Sequence, residues 1–122
     1  MKKKILIIED NFETQLIFKI YLREIYDIKI SDNATDGLEE IKNNNFDLLI
    51  LDVNLPGKLD GNDVLRIVKK ELKVDLRVIV VTAFAMKGDM EKFLAQGADD
   101  YIAKPVEKAY LMKRIDAQLS EG

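Results

Sequence analysis

The chain has no cysteine, no histidine, no tryptophan and only two prolines in 122 residues. Without thiols there is no disulfide framework, no thiolate metal site and no thiol nucleophile. Without imidazole there is no Ser/His/Asp triad, no histidine metal ligand and no phosphohistidine carried by the chain itself. Basic runs are also scarce. Beyond Lys2, Lys3 and Lys4 there is none, and the net charge is −3, so nucleic acid and membrane surfaces are not expected partners. The apolar run behind those lysines is too short for a signal peptide. No low-complexity linker or internal repeat divides the chain. The expectation is one soluble, cytoplasmic domain over residues 1–122, of a size that buries roughly two-thirds of its unfolded surface without staples.

What is present begins with Phe46 to Asp52, FDLLILD, a run apolar on both alternating faces that ends in one carboxylate. Such a run suits a strand buried on both sides of a parallel sheet. Lys4–Ile8 and Arg77–Thr82 read the same way, and Ile28–Ser31 and Tyr101–Ile102 are shorter strands. Between them lie amphipathic segments. The first runs from an Asn11 N-cap to about Tyr26, the second from about Thr35 to Lys42. The third carries Val64, Leu65, Ile67 and Val68, and the fourth carries Met90, Phe93 and Leu94 and stops at Gly97. The last runs from Val106 to about Leu119, with Leu111, Met112, Ile115 and Leu119 on one face. Five strands alternating with five helices predict an α/β doubly wound parallel sheet with helices on both faces.

In such a sheet, right-handed crossovers bring the strand ends to one edge, where ligands gather. Glu9 and Asp10 end the first strand, Asp52 the third, Thr82 the fourth and Lys104 the fifth. Three carboxylates brought together repel unless a cation lies between them, and an all-oxygen donor set points to Mg²⁺. A lysine and a hydroxyl beside them complete a phosphoryl pocket. Lys104 would offset charge on the phosphoryl oxygens, Thr82 would donate a hydrogen bond and Asp52 would attack phosphorus to form an acyl phosphate.

Four stretches carry a family resemblance: IIED at Ile7–Asp10, ILDVNLPG at Ile50–Gly57, VVTA at Val80–Ala83 and DYIAKP at Asp100–Pro105. Together and in this order they resemble the receiver domain of bacterial two-component response regulators, of the chemotaxis-regulator kind, from Lys4 to about Leu119. The resemblance implies the flavodoxin-like strand order 2-1-3-4-5. It also implies phosphorylation of Asp52 by a histidine kinase or a histidine phosphotransfer protein. Asp10 and Asp52 resemble the direct metal ligands, Glu9 a ligand through water and Asn54 the residue whose backbone carbonyl completes the Mg²⁺ site. Thr82 and Tyr101 are similar to the switch pair, Asn54, Ala83 and Phe84 to the residues flanking the phosphoryl group, and Lys104–Pro105 to the cis peptide. A protein with no output domain of its own would act as a stand-alone receiver on a downstream protein target, as a monomer or weak dimer.

Two positions depart from the family pattern. Gly61 lies nine residues beyond Asp52, where the pattern has eight, so the loop near Asn54 carries an extra residue. Phe84 puts an apolar ring beside the phosphoryl group, where it cannot position an attacking water, and slow self-dephosphorylation is the expectation.

On the first helix, Ile17, Phe18, Tyr21, Leu22 and Ile25 are expected to face the core. Phe12, Leu16 and Ile20 form a second apolar stripe at i, i+4 spacing, suited to docking a helical phosphodonor. Competing readings belong to other classes. A phosphorylation-independent scaffold would use the fold alone. A Mg²⁺-dependent phosphohydrolase would have an acid two residues past the nucleophile, where Asn54 stands. A flavin or nucleotide carrier would replace the acidic turn after the first strand with a Gly- or Ser/Thr-rich phosphate cradle.

Overall fold

A computed structural model describes residues 1–83 and 85–120. Its five strands are β1 (Lys4–Ile8), β2 (Asp27–Ser31), β3 (Leu48–Asp52), β4 (Arg77–Thr82) and β5 (Asp100–Ala103), all parallel, in the order β2-β1-β3-β4-β5. The helices are α1 (Phe12–Leu22), α2 (Ala34–Asn43), α3 (Gly61–Arg66), α4 (Asp89–Ala95) and α5 (Lys108–Leu119). This is the doubly wound parallel sheet that the pattern predicts, in the flavodoxin-like order that the resemblance implies.

The uninterrupted apolar strands follow from burial on both faces. Leu6, Ile8, Leu49, Leu51, Val78, Val80 and Tyr101 pack with α2, α3 and α4 on one side. Their neighbours Ile5, Ile7, Leu48, Ile50, Ile79, Val81 and Ile102 pack with α1 and α5 on the other. This strict alternation decides where the site residues point. Continued by one or two positions, it sends Glu9, Asp52 and Lys104 to the α1/α5 side, and Thr82 to the α3/α4 side with Tyr101.

Helix starts are set by short polar side chains. Asn11, Asn33 and Asp60 each accept a backbone N–H three residues on, and Asp60 and Asp63 form a reciprocal capping box at α3. Gly97, at φ 109°, ends α4 in the left-handed region as expected.

Several boundaries differ from the sequence reading. α1 stops at Leu22 and not near Tyr26, because the Ile25 and Tyr26 N–H groups both turn back to the Leu22 carbonyl and the chain then enters β2. Ile17 and Ile25, expected in the core, are 43% and 50% exposed. Phe18 and Leu22 fill the gap against the sheet with the half-buried Tyr21 beside them, and the early end of the helix carries Ile25 past it. β3 starts at Leu48, since the Asp47 carboxylate is occupied by the Lys4 N–H at 2.8 Å. α5 starts at Lys108 and not at Val106, because Glu107 is still extended.

The third helix passes at Ile67 into a π-helical segment, Ile67–Leu72, closed by Lys73 at φ 53°. Arg66, just before it, and Glu71 within it, five apart, form an ion pair. Lys69 reaches across to the Asp99 carboxylate at 2.8 Å, tying this segment to the start of β5. Among the described residues no helix is long and apolar enough to cross a membrane.

Candidate functional site

The acids that end β1 and β3 meet at the carboxyl edge of the sheet. One ligand oxygen from each of Glu9, Asp10 and Asp52 falls within 4.8 Å of the others. Glu9 and Asp52 are buried, whereas Asp10 faces solvent. Lys104, arriving from the end of β5, donates to Glu9 Oε1 at 2.8 Å and stands 3.6 Å from Asp52 Oδ2. A single ammonium therefore bridges two buried carboxylates.

The burial of Glu9 tells on its ionisation. Its carboxyl is pushed up to about 7, first by burial and then by the nearby Asp52. The Lys104 ammonium and the Asn11 N–H hold it down only in part. Geometry locks Glu9 in this setting. Its Oε2 accepts the Asn11 N–H at 3.1 Å, and its backbone carbonyl accepts Gln15 Nε2 at 2.6 Å. Gln15 was not among the residues singled out from the sequence. Its only signal there is its place in the first turn of the helix that follows the acids.

Asp52 Oδ1 accepts the Asn54 N–H at 3.0 Å, which orients the carboxylate at the strand exit. The Asn54 side chain donates to Thr82 Oγ1 at 3.3 Å, linking the β3 loop to the end of β4. Thr82 is buried, and Ala83 beside it is exposed. Phe84 lies outside the described residues. Tyr101 is turned inward and only 7% exposed, its ring stacked on Phe93 with centroids 5.9 Å apart. Its hydroxyl is buried without a hydrogen-bond partner, and burial raises its pKa. The Lys104–Pro105 peptide is cis.

The extra residue before Gly61 is accommodated without disturbing the strand exit. Pro56, Gly57 and Lys58 are exposed, and the Gly61 N–H still returns to the Val53 carbonyl at 3.0 Å. The Asn54 N–H stays tied to Asp52 Oδ1.

Phe12, Leu16 and Ile20 are 68%, 43% and 59% exposed, so the second stripe of α1 is a surface beside the acids and not the margin of the core.

The carboxyl edge of this parallel α/β sheet thus carries three acids, a bridging lysine and a strand-end threonine. The family model described as the response regulator receiver domain matches residues 5–116, and the chain belongs to this family. It is 30% identical to the polar-differentiation response regulator DivK of Brucella anthropi, with all of both chains covered. It is 34% identical to hybrid signal transduction histidine kinase I of Dictyostelium discoideum, over 96% of this chain but 7% of that protein. The solved CheY-like response regulator receiver domain protein of Methanospirillum hungatei superposes with a TM-score of 0.90 at 34% identity, covering 99% of this chain and 96% of that one.

Proposed function

We propose that this chain accepts a phosphoryl group on Asp52 from a histidine kinase or histidine phosphotransfer protein and signals to a downstream protein target. The observation that carries the reading is the Asp52 carboxylate 3.6 Å from Lys104 Nζ, within a cluster of three acids. The cluster fits Mg²⁺: every donor is a hard oxygen, and the three carboxylates each offer one within 4.8 Å of the others. Glu9, Asp10, Asp52 and the Asn54 backbone carbonyl would hold the ion. When bound, Mg²⁺ supplies positive charge to the phosphoryl oxygens.

The remaining steps belong to the chain. An Asp52 oxygen attacks phosphorus, the P–N bond to the donor's imidazole breaks, and the imidazole leaves with that electron pair. Lys104 offsets charge on the transferred group, and the Thr82 hydroxyl donates to it. Drawing Thr82 toward the phosphoryl group loosens its bond to Asn54 and changes the space beside the inward Tyr101 ring. Asn54, two residues past the nucleophile, has no proton to give as an acid. This favours a lasting acyl phosphate over steady turnover of a small monoester.

Incubation with acetyl phosphate and Mg²⁺ should add one phosphoryl group to the intact mass. Asp52→Asn and chelation of the metal should each abolish the adduct. An adduct that survives Asp52→Asn would overturn the assignment.

The exposed stripe of α1 supports a docking surface for the donor's helix, since Phe12 stands two residues past Asp10. Leu16→Glu should slow transfer from a histidine phosphotransfer protein at least tenfold, roughly the effect of losing one buried apolar contact. Its reaction with acetyl phosphate should be unchanged. Equal slowing with both donors, or with neither, would remove the docking role.

A further inference from the structure

The opposite end of the molecule carries a second surface. β2 is an edge strand, paired on one side only to β1. The Asp27 N–H donates to Lys3 and the Ser31 carbonyl accepts from Glu9, so these residues turn their backbone groups toward β1. The alternation of a parallel ladder then leaves the N–H and C=O of Ile28 and Ile30 on the open edge. Beside that edge runs a groove of about 620 Å³ between β2, the start of β1 and the end of α1.

The groove is basic on a chain that is acidic as a whole. Lys2, Lys4, Lys19, Arg23 and Lys29 line it, and Asp27 is the one carboxylate among its lining residues. Lys2 is engaged with the Arg23 carbonyl and Lys29 with Glu40 at 3.7 Å. Among the described residues, no carboxylate lies within ion-pair distance of Lys4, Lys19 or Arg23. Half-buried Ile28 and Ile30 supply apolar surface between these charges.

We propose that this edge takes an extended acidic segment of a partner protein as a sixth strand. Ile28 and Ile30 offer backbone hydrogen bonds, and Lys19 and Arg23 select carboxylate side chains where the added strand passes the amino half of β2. Its other half passes Asp32, Asp36, Glu39 and Glu40, which border Lys29 and Ile30 and exclude acids there. A polyanion without a peptide backbone would meet the lysines but could not continue the ladder. The surface lies at the amino edge of the sheet, away from Asp52, and does not depend on phosphorylation.

The test is a phage-displayed library of random ten-residue peptides panned on the full chain, with counter-selection on the Lys19→Glu/Arg23→Glu double variant. Both side chains are exposed, and the variant should form the acetyl phosphate adduct at the parent's rate, which verifies its fold. Enriched peptides should be rich in Asp and Glu and free of central proline. The best of them, made synthetically, should slow hydrogen exchange of the Ile28 and Ile30 amides at least tenfold and bind the variant at least tenfold more weakly. Peptides that bind parent and variant alike overturn the proposal, as does the absence of any enrichment. An acidic peptide that binds without protecting those two amides, or an inorganic polyphosphate that binds equally well, shows a simple anion surface and also overturns it.

Discussion

Gly61→Ala should lower folding stability by about 3 kcal/mol, the range of an overpacked core site, and slow phosphorylation of whatever remains folded. A Cβ at this position would lie 2.4 Å from the Asp52 carbonyl oxygen, 2.5 Å from Val53 Cα and 2.9 Å from the Val53 carbonyl oxygen. All three are backbone atoms at the exit of a fully buried strand, so no flexible side chain can swing away. Either α3 retreats and loses the Gly61–Val53 hydrogen bond, or the β3 exit moves and takes the Asp52 carboxylate with it. Gly57→Ala is the matched control. Gly57 sits at φ 99° with nothing within 4 Å of an added Cβ, so only backbone strain of about 1 kcal/mol is expected. Urea unfolding of the two variants, read with acetyl phosphate labelling, separates the cases. A Gly61→Ala protein as stable as Gly57→Ala would contradict the close approach of α3 to the backbone of Asp52 and Val53.

Lys104→Met should abolish labelling within detection and make stability strongly dependent on pH. The lysine bridges Glu9 at 2.8 Å and Asp52 at 3.6 Å. Removing it leaves two buried carboxylates facing each other, a change that costs about 3 to 5 kcal/mol when both are charged. Glu9 already has a carboxyl raised to about 7 by burial, and loss of the ammonium raises it further. A carboxyl raised on folding contributes stability that is present below its unfolded value, near 4.5, and is lost as pH rises through the folded value. The variant should therefore lose most stability above pH 8 and recover much of it near pH 5, where Glu9 is protonated. Chemical denaturation of parent and variant at the two pH values checks this. A loss of the same size at both would mean that packing of the lysine stem, and not its charge, is what the site depends on.

Much of this chain was readable one residue at a time. Ile5–Ile8, Leu48–Leu51 and Val78–Val81 are apolar without interruption because both faces of their strands are covered, and that pattern is local. The acids at Glu9, Asp10 and Asp52 stand directly at the ends of those strands, so the topology alone brings them together. Asn11 and Gly97 mark helix ends by their own backbone and side-chain preferences.

Other features depend on distant partners. The periodicity of α1 placed Ile17 and Ile25 inward, yet Phe18, Tyr21 and Leu22 take the room against the sheet, and a turn at Leu22 cuts the helix short. The third helix slides into a π-helical segment that a 3.6-residue pattern does not anticipate. Its Lys69 is matched to Asp99, thirty residues away.

Sequence by itself determined the strands, the crossovers and the edge where three acids and a lysine collect, because each rests on hydrophobic period and chain direction. Tertiary structure decided that Lys104 bonds first to Glu9, that Tyr101 stacks inward on Phe93, that Gly61 must lack a side chain and that β2 keeps a basic open edge. Those outcomes turn on ångström-scale distances between elements far apart in the chain, and such distances appear only once the elements are packed.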